Sequence, residues 1–242
     1  KAVTVNSGEI RSVIEAARRS GQFFMEGMWT RFFPVSRQIH ERISAGEFGR
    51  VTLAEVDFGF GRWQSGKVDN PSSRLFAADM AGGALLDVGC YCVSYATWMK
   101  GSQPVSVRAL TTIVETGVDG MTNAILQFDD ETMAVVRASI VQNTRQRAMI
   151  YCDEATIEVP DFWHPSRAVI HYQASGRADE LIEIPYDQDG AAGFKYEAQM
   201  VMDCLDQGLV ECPLMPWADS VGVMATLDKI RSEIGLKYPF EV

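Results

Sequence analysis

The chain has 242 residues, 47% hydrophobic and 22% charged, enough for one large domain or one and a half. Its 22 Lys and Arg against 32 Asp and Glu give a formal charge of −10, which argues against nucleic acid or anionic membrane as a main partner. No apolar run reaches the ~20 residues of a membrane span and no signal-peptide core opens the sequence, so the expected location is cytoplasmic.

Asn6-Ser7-Gly8-Glu9 has the form of a capping box, and Ile10, Val13, Ile14 and Ala17 follow at helical spacing until Ser20-Gly21. Phe23-Phe24-Met25 reads as a short buried strand. Pro34 suits the first turn of a second helix, with Val35, Ile39 and Ile43 on its inner face. This opening αβα run has no strand before it, although a parallel sheet needs one. The reading is a domain joined midway.

From Arg50 the character changes. Residues 51–60 read as a strand, 61–80 as a long polar loop and 83–100 as a helix. Strand-like runs follow at 105–115, 121–128, 132–141, 147–152, 155–159, 168–173 and 180–184, with hairpin connections at Asp129-Asp130-Glu131 and Cys152-Asp153-Glu154. Helices at about 193–208 and 217–234 close the chain. Short, closely spaced strands predict a mainly antiparallel sheet with too few helices to cover both faces. In the run 132–141, Ala134, Val136, Ala138 and Ile140 share one face; Met133, Val135, Arg137 and Ser139 form a half-apolar second face. That face suits an oligomer contact or a solvated surface equally well.

Cys90, Cys92, Cys152, Cys204 and Cys212 form no C-x-x-C, and no His stands at ligand spacing from another, so buried thiols are expected and no metal site. Gly61 to Lys67 has the spacing of a phosphate-binding loop, but Val68 stands where a hydroxyl should hold magnesium and Pro71 blocks the helix that should follow. No G-x-G-x-x-G occurs, so this polypeptide alone should bind a dinucleotide poorly. In Trp29-Thr30-Arg31-Phe32-Phe33-Pro34, Trp29 could wall a substrate pocket and Arg31 could anchor an oxygen; core packing and an ion pair serve equally well. In Gly82-Gly83-Ala84-Leu85-Leu86-Asp87-Val88-Gly89-Cys90-Tyr91, a carboxylate and a phenol lie four residues apart, on one helical face. A phenol with an ordinary pKa near ~10 needs a neighbouring ammonium to exchange protons at neutral pH. Without one, Asp87 and Tyr91 could simply be a core pair.

On these residues, with Lys1-Ala2-Val3-Thr4-Val5-Asn6, Met25 to Pro34, Ser73 to Phe76, Glu115 to Asp119 and Tyr196-Glu197-Ala198, the chain resembles the Gfo/Idh/MocA oxidoreductases, in particular the diol and sugar dehydrogenase branch. The resemblance implies an α/β plus α+β architecture. Residues 1–45 would be the C-terminal remnant of a dinucleotide-binding Rossmann domain. Residues 46–242 would form an open-faced, mainly antiparallel sheet domain with flanking helices, pairing as a homodimer through the open face. The implied activity is hydride transfer between NADP or NAD and a secondary alcohol of a trans-dihydrodiol or sugar. Carried over by position, Tyr91 is the acid/base and Lys1 its cationic partner, also facing the cofactor. Asp87 lies on the substrate side, and Trp29 and Arg31 line the pocket for substrate and nicotinamide. Ala2 stands where the family's Glu-Lys-Pro motif has proline, and the glycine-rich turn would precede residue 1. The chain is therefore expected to be a piece of an enzyme, inactive alone. The alternative is a non-enzymatic interaction module that has lost cofactor binding.

Overall fold

The computed structural model describes residues 1–174, 176–186 and 192–241. Helix α1 (Ser7–Ser20) begins where the Asn6 side chain accepts a hydrogen bond from the Glu9 amide, and it ends on a left-handed Gly21. It buries Ile10 and Ile14 but leaves Val13 half out in solvent. Helix α2 (Pro34–Ser44) buries Val35, Ile39 and Ile43 as its spacing predicts. Between them, Phe23 to Met25 form no strand: the Phe24 amide donates to the Val210 carbonyl at 3.0 Å, and the Trp217 indole donates to the Phe24 carbonyl at 2.9 Å. Those partners satisfy the backbone without a sheet.

Strands β1 (Val51–Gly59), β2 (Ser106–Ile113), β3 (Asp119–Gln127), β4 (Met133–Ser139), β5 (Ala148–Cys152), β6 (Ala155–Val159), β7 (Arg167–Tyr172) and β8 (Glu180–Glu183) form one sheet. Its order is β2-β3-β4-β1-β5-β6-β7-β8. Every neighbouring pair is antiparallel except β1 with β4, which run parallel with Val56 opposite Val136. Such a pair needs a crossover. Helix α3 (Cys90–Lys100) lies on that connection and packs against β1 and β4, with every residue but Lys100 buried. A helix apolar all round belongs in a core. Helices α4 (Lys195–Asp206) and α5 (Trp217–Ile234) complete the covering layer, α5 against α1, α3 and β2.

The opposite face of the sheet stays open. Leu110 is 82% exposed, and Ile125 and Met133 are also exposed, with Ile125 paired to the half-buried Val135 across β3 and β4. The five cysteines are buried and unpaired. Among the described residues no helix is long and apolar enough to cross a membrane.

Candidate active site

The double glycine forms a clamped turn ahead of α3. Gly83 has φ +122, and a Cβ there would sit 2.1 Å from Asp119 Oδ1, so only glycine fits. Asp119 Oδ2, reaching over from β3, accepts from the Leu85 amide at 2.8 Å and from the Thr122 hydroxyl at 2.7 Å. The Tyr238 hydroxyl donates to the Gly82 carbonyl at 2.8 Å. Burial pushes the Asp119 carboxyl up to about 7, against the opposing bonds from Thr122 and Leu85.

Leu85–Gly89 is then a single π turn, in which the Cys90 amide reaches back to the Leu85 carbonyl. Such widened turns concentrate at functional sites. This one presents the Asp87 carbonyl to Lys1 Nζ at 2.6 Å and the Asp87 carboxylate, through Oδ1, to Lys1 at 3.2 Å and to Arg74 Nη1 at 2.9 Å. Lys1 Nζ also lies 5.1 Å from the centroid of the Tyr91 ring. Residues at the two ends of the reading, Lys1, Asp87 and Tyr91, are thus together in space.

Their bonding differs from the expectation. The ammonium is held by Asp87 over the Tyr91 ring face, and burial of the phenol outweighs the pull of nearby charge. Burial pushes Tyr91 well above the ordinary phenol range, reinforced by Cys90, Asp87 and Glu197, with only the nearby Trp29 indole N–H opposing. Tyr91 is therefore a neutral phenol at neutral pH, poised to give a proton.

Arg31 belongs elsewhere. It is fully buried, and its guanidinium bonds Asp219, the Ser94 hydroxyl and the Leu214 carbonyl beneath the Trp98 ring. A planar cation so enclosed has no surface left for substrate or cofactor; the pocket role expected for it is corrected to a structural one. Trp29 packs in a cluster of aromatic rings. It stacks on Phe194 at 4.3 Å and lies 5.8 Å from Trp163, which stacks on Phe58 at 5.0 Å. Phe58 in turn meets the Tyr91 ring edge-on at 5.5 Å. The result is a chain of ring contacts that runs from Phe194 through Trp29, Trp163 and Phe58 to the Tyr91 ring, with Phe58 and Tyr91 buried. Phe58, Trp163 and Phe194 come from three distant segments with no common spacing, so no local signal marks them. Arg74 and Asp119 do stand in two segments that carried the resemblance, Ser73 to Phe76 and Glu115 to Asp119.

Lys1, Arg74, Leu75, Met80, Leu86 and Asp87 border a cleft of roughly 460 Å³. Two cations, one carboxylate and apolar walls fit the ring end of a nicotinamide cofactor. The 61–67 segment forms turns, with Lys67 N bonded to the Gln64 carbonyl, and does not lead into a helix.

A neutral phenol beside an ammonium has the chemistry of a proton donor. The profile of the GFO/IDH/MocA C-terminal domain matches residues 36–158. Trans-1,2-dihydrobenzene-1,2-diol dehydrogenase of Xenopus tropicalis is 32% identical over 241 residues, covering 99% of this chain and 71% of the relative. The mouse enzyme of that name is 30% identical over 240 residues, covering 99% and 70%. Among solved structures, aldose-aldose oxidoreductase from Caulobacter crescentus superposes with a TM-score of 0.81 at 19% identity, covering 96% of this chain and 68% of that one. Levoglucosan dehydrogenase in complex with NADH and levoglucosan gives a TM-score of 0.80 at 17% identity, covering 99% and 72%. The chain belongs to the GFO/IDH/MocA family and is an oxidoreductase of the dehydrogenase type. The two solved structures share its fold.

Proposed function

We propose that this chain carries the substrate site of an NAD(P)-dependent dehydrogenase acting on a secondary alcohol of a trans-dihydrodiol or sugar, with Tyr91 as its acid/base. The observation that carries the reading is the Tyr91 phenol, kept protonated by burial, with Lys1 5.1 Å from its ring and the aromatic cluster of Trp29 beside it. In the reducing direction the Tyr91 hydroxyl gives its proton to the carbonyl oxygen while the carbonyl carbon gains hydride. Lys1 stabilises the phenolate left behind, and Asp87 fixes Lys1 through both its carbonyl and its carboxylate. In the oxidising direction the same oxygen takes the proton back. A bound nicotinamide supplies or accepts the hydride. Residues 1–45 serve, in this reading, as the end of the cofactor-binding domain.

The test is a panel of trans-dihydrodiols and aldoses, offered with NADP and with NAD to the complete gene product. Reduced nicotinamide should form with at least one diol or sugar. Cofactor binding without turnover across the panel would retire the reading in favour of an interaction module.

The open sheet face supports a homodimer. Leu110, Ile125, Val135 and Met133 make an apolar band on a surface that no helix of the described residues covers. Sedimentation should show a dimer for the unaltered protein and a monomer for Ile125→Glu. An unaltered protein that sediments as a monomer removes the proposed contact.

A further inference from the structure

The ammonium beside the Tyr91 ring comes with a counter-charge of its own. Lys1 Nζ bonds the Asp87 carbonyl at 2.6 Å and Asp87 Oδ1 at 3.2 Å. One ammonium on one carboxylate carries no net charge, and so offers little to a phenolate forming next to it. Burial, followed by Cys90, Asp87 and Glu197, already weighs against ionisation of the phenol. Arg74 changes that balance. Its Nη1 bonds the same Asp87 Oδ1 at 2.9 Å. Two cations thus share one carboxylate oxygen, and the cluster is left with a surplus of one positive charge, with Lys1 Nζ 5.1 Å from the Tyr91 ring centroid.

The Arg74 side chain is 65% exposed and that of Asp87 12% exposed. An ion pair with an exposed member adds little to stability, but the backbone beneath Arg74 is built into the site. The Phe76 and Ala77 amides donate to the Ser73 carbonyl at 2.8 and 3.0 Å, and the Gly83 amide donates to the Leu75 carbonyl at 2.8 Å. A Cβ on Gly82 would meet the Leu75 and Arg74 carbonyls at 2.7 and 2.8 Å, so the close approach of this segment requires glycine there. The polar loop is therefore tied, at the point that carries Arg74, to the same turn that presents Asp87. Resting on the reading of Tyr91 as the acid/base, we propose that Arg74 is a positioning residue for the proton transfer: it takes up the Asp87 carboxylate and so frees the charge of Lys1 to stabilise the phenolate. Arg74 acts through Asp87 and Lys1 and needs no contact with substrate. Its charge is in place before the reaction and does not move during it, which is the condition for a fixed group to favour a charge that develops.

The experiment uses the complete gene product and a diol or sugar that it turns over. Arg74→Gln, which keeps a hydrogen-bonding end but loses the charge, should lower kcat roughly three- to tenfold. The loss should be equal in the oxidising and reducing directions, because an enzyme cannot shift the equilibrium of its reaction. Substrate and cofactor KM should stay within about twofold, and the unfolding midpoint should not move. Arg74→Lys, which keeps the charge, should retain most of kcat. In the Tyr91→Phe background Arg74→Gln should change the residual turnover by less than about twofold, since no phenolate remains to be supported. Four results would overturn the proposal while leaving Tyr91 in place: unaltered kcat in Arg74→Gln, equal losses in the Gln and Lys variants, a loss carried wholly by KM, or a full loss on top of Tyr91→Phe. Unaltered turnover in Tyr91→Phe itself, measured alongside, removes the Tyr91 reading and the proposal with it.

Discussion

Tyr91→Phe in the complete gene product should lower kcat by roughly 10²- to 10⁴-fold, the span that positioned acid–base groups contribute. The change removes one oxygen and little else. The ring keeps its edge contact with Phe58 at 5.5 Å, and Lys1 keeps its place over the ring, because its bonds go to Asp87. Substrate KM and the unfolding midpoint should therefore move little, which separates a chemical loss from a folding loss. The raised phenol pKa sets the pH behaviour of the unaltered enzyme. In the reducing direction the proton donor stays protonated and neutral through neutral pH, so that rate should be flat there. In the oxidising direction the phenolate is required, and the rate should climb with pH across the same range. Steady-state rates in both directions as a function of pH check this. A Phe variant with unaltered kcat would take Tyr91 out of the reaction.

The second large effect is on stability. Asp219→Ala should destabilise the fold by about 3–5 kcal/mol, the cost of stranding one member of a buried ion pair. Arg31→Met should cost clearly less. The asymmetry follows from exposure: the Arg31 side chain is 0% exposed, whereas the Asp219 side chain is 31% exposed. Removing the carboxylate leaves a guanidinium with no water to turn to, and burial already pushes its pKa down. Removing the arginine leaves a carboxylate that solvent can reach. Against a total stability on the order of 5–15 kcal/mol, the first change approaches loss of the folded state. Denaturant midpoints of the two variants decide it, and equal midpoints would show that burial does not set the cost. Neither substitution should alter substrate KM in the molecules that remain folded, since Arg31 lies outside the pocket.

What could be read from the sequence is what depends on near neighbours. The cap of α1 rests on Asn6 and Glu9, three positions apart, and the eight strands follow runs whose alternation is local. Phe23 to Met25 went astray because apolar composition says nothing about backbone partners, and these turned out to be Val210 and Trp217. Arg31 could be anchored to substrate or to a core carboxylate on the sequence alone; its partner stands 188 residues downstream. The closeness of Lys1, Asp87 and Tyr91 came from the family likeness and not from spacing, because Lys1 lies 86 positions from Asp87. The aromatic cluster draws on β1, the segment after β6 and the start of α4, and only the folded sheet brings those together. Helical periodicity also assumes a constant advance per residue, so the π turn over Leu85–Gly89 leaves no trace in it.

That widened turn has a mechanical consequence. An α-helix rotates by about 100° per residue, so its two ends normally share one phase. Here an extra residue is absorbed just before Cys90, and the stretch bearing Asp87 can adopt an azimuth different from the one that packing imposes on Tyr95 and Trp98. Deleting one residue from that stretch would re-wind the segment into a regular spiral and swing the Asp87 carbonyl away from its lysine, even if every side chain of the interior stayed in place.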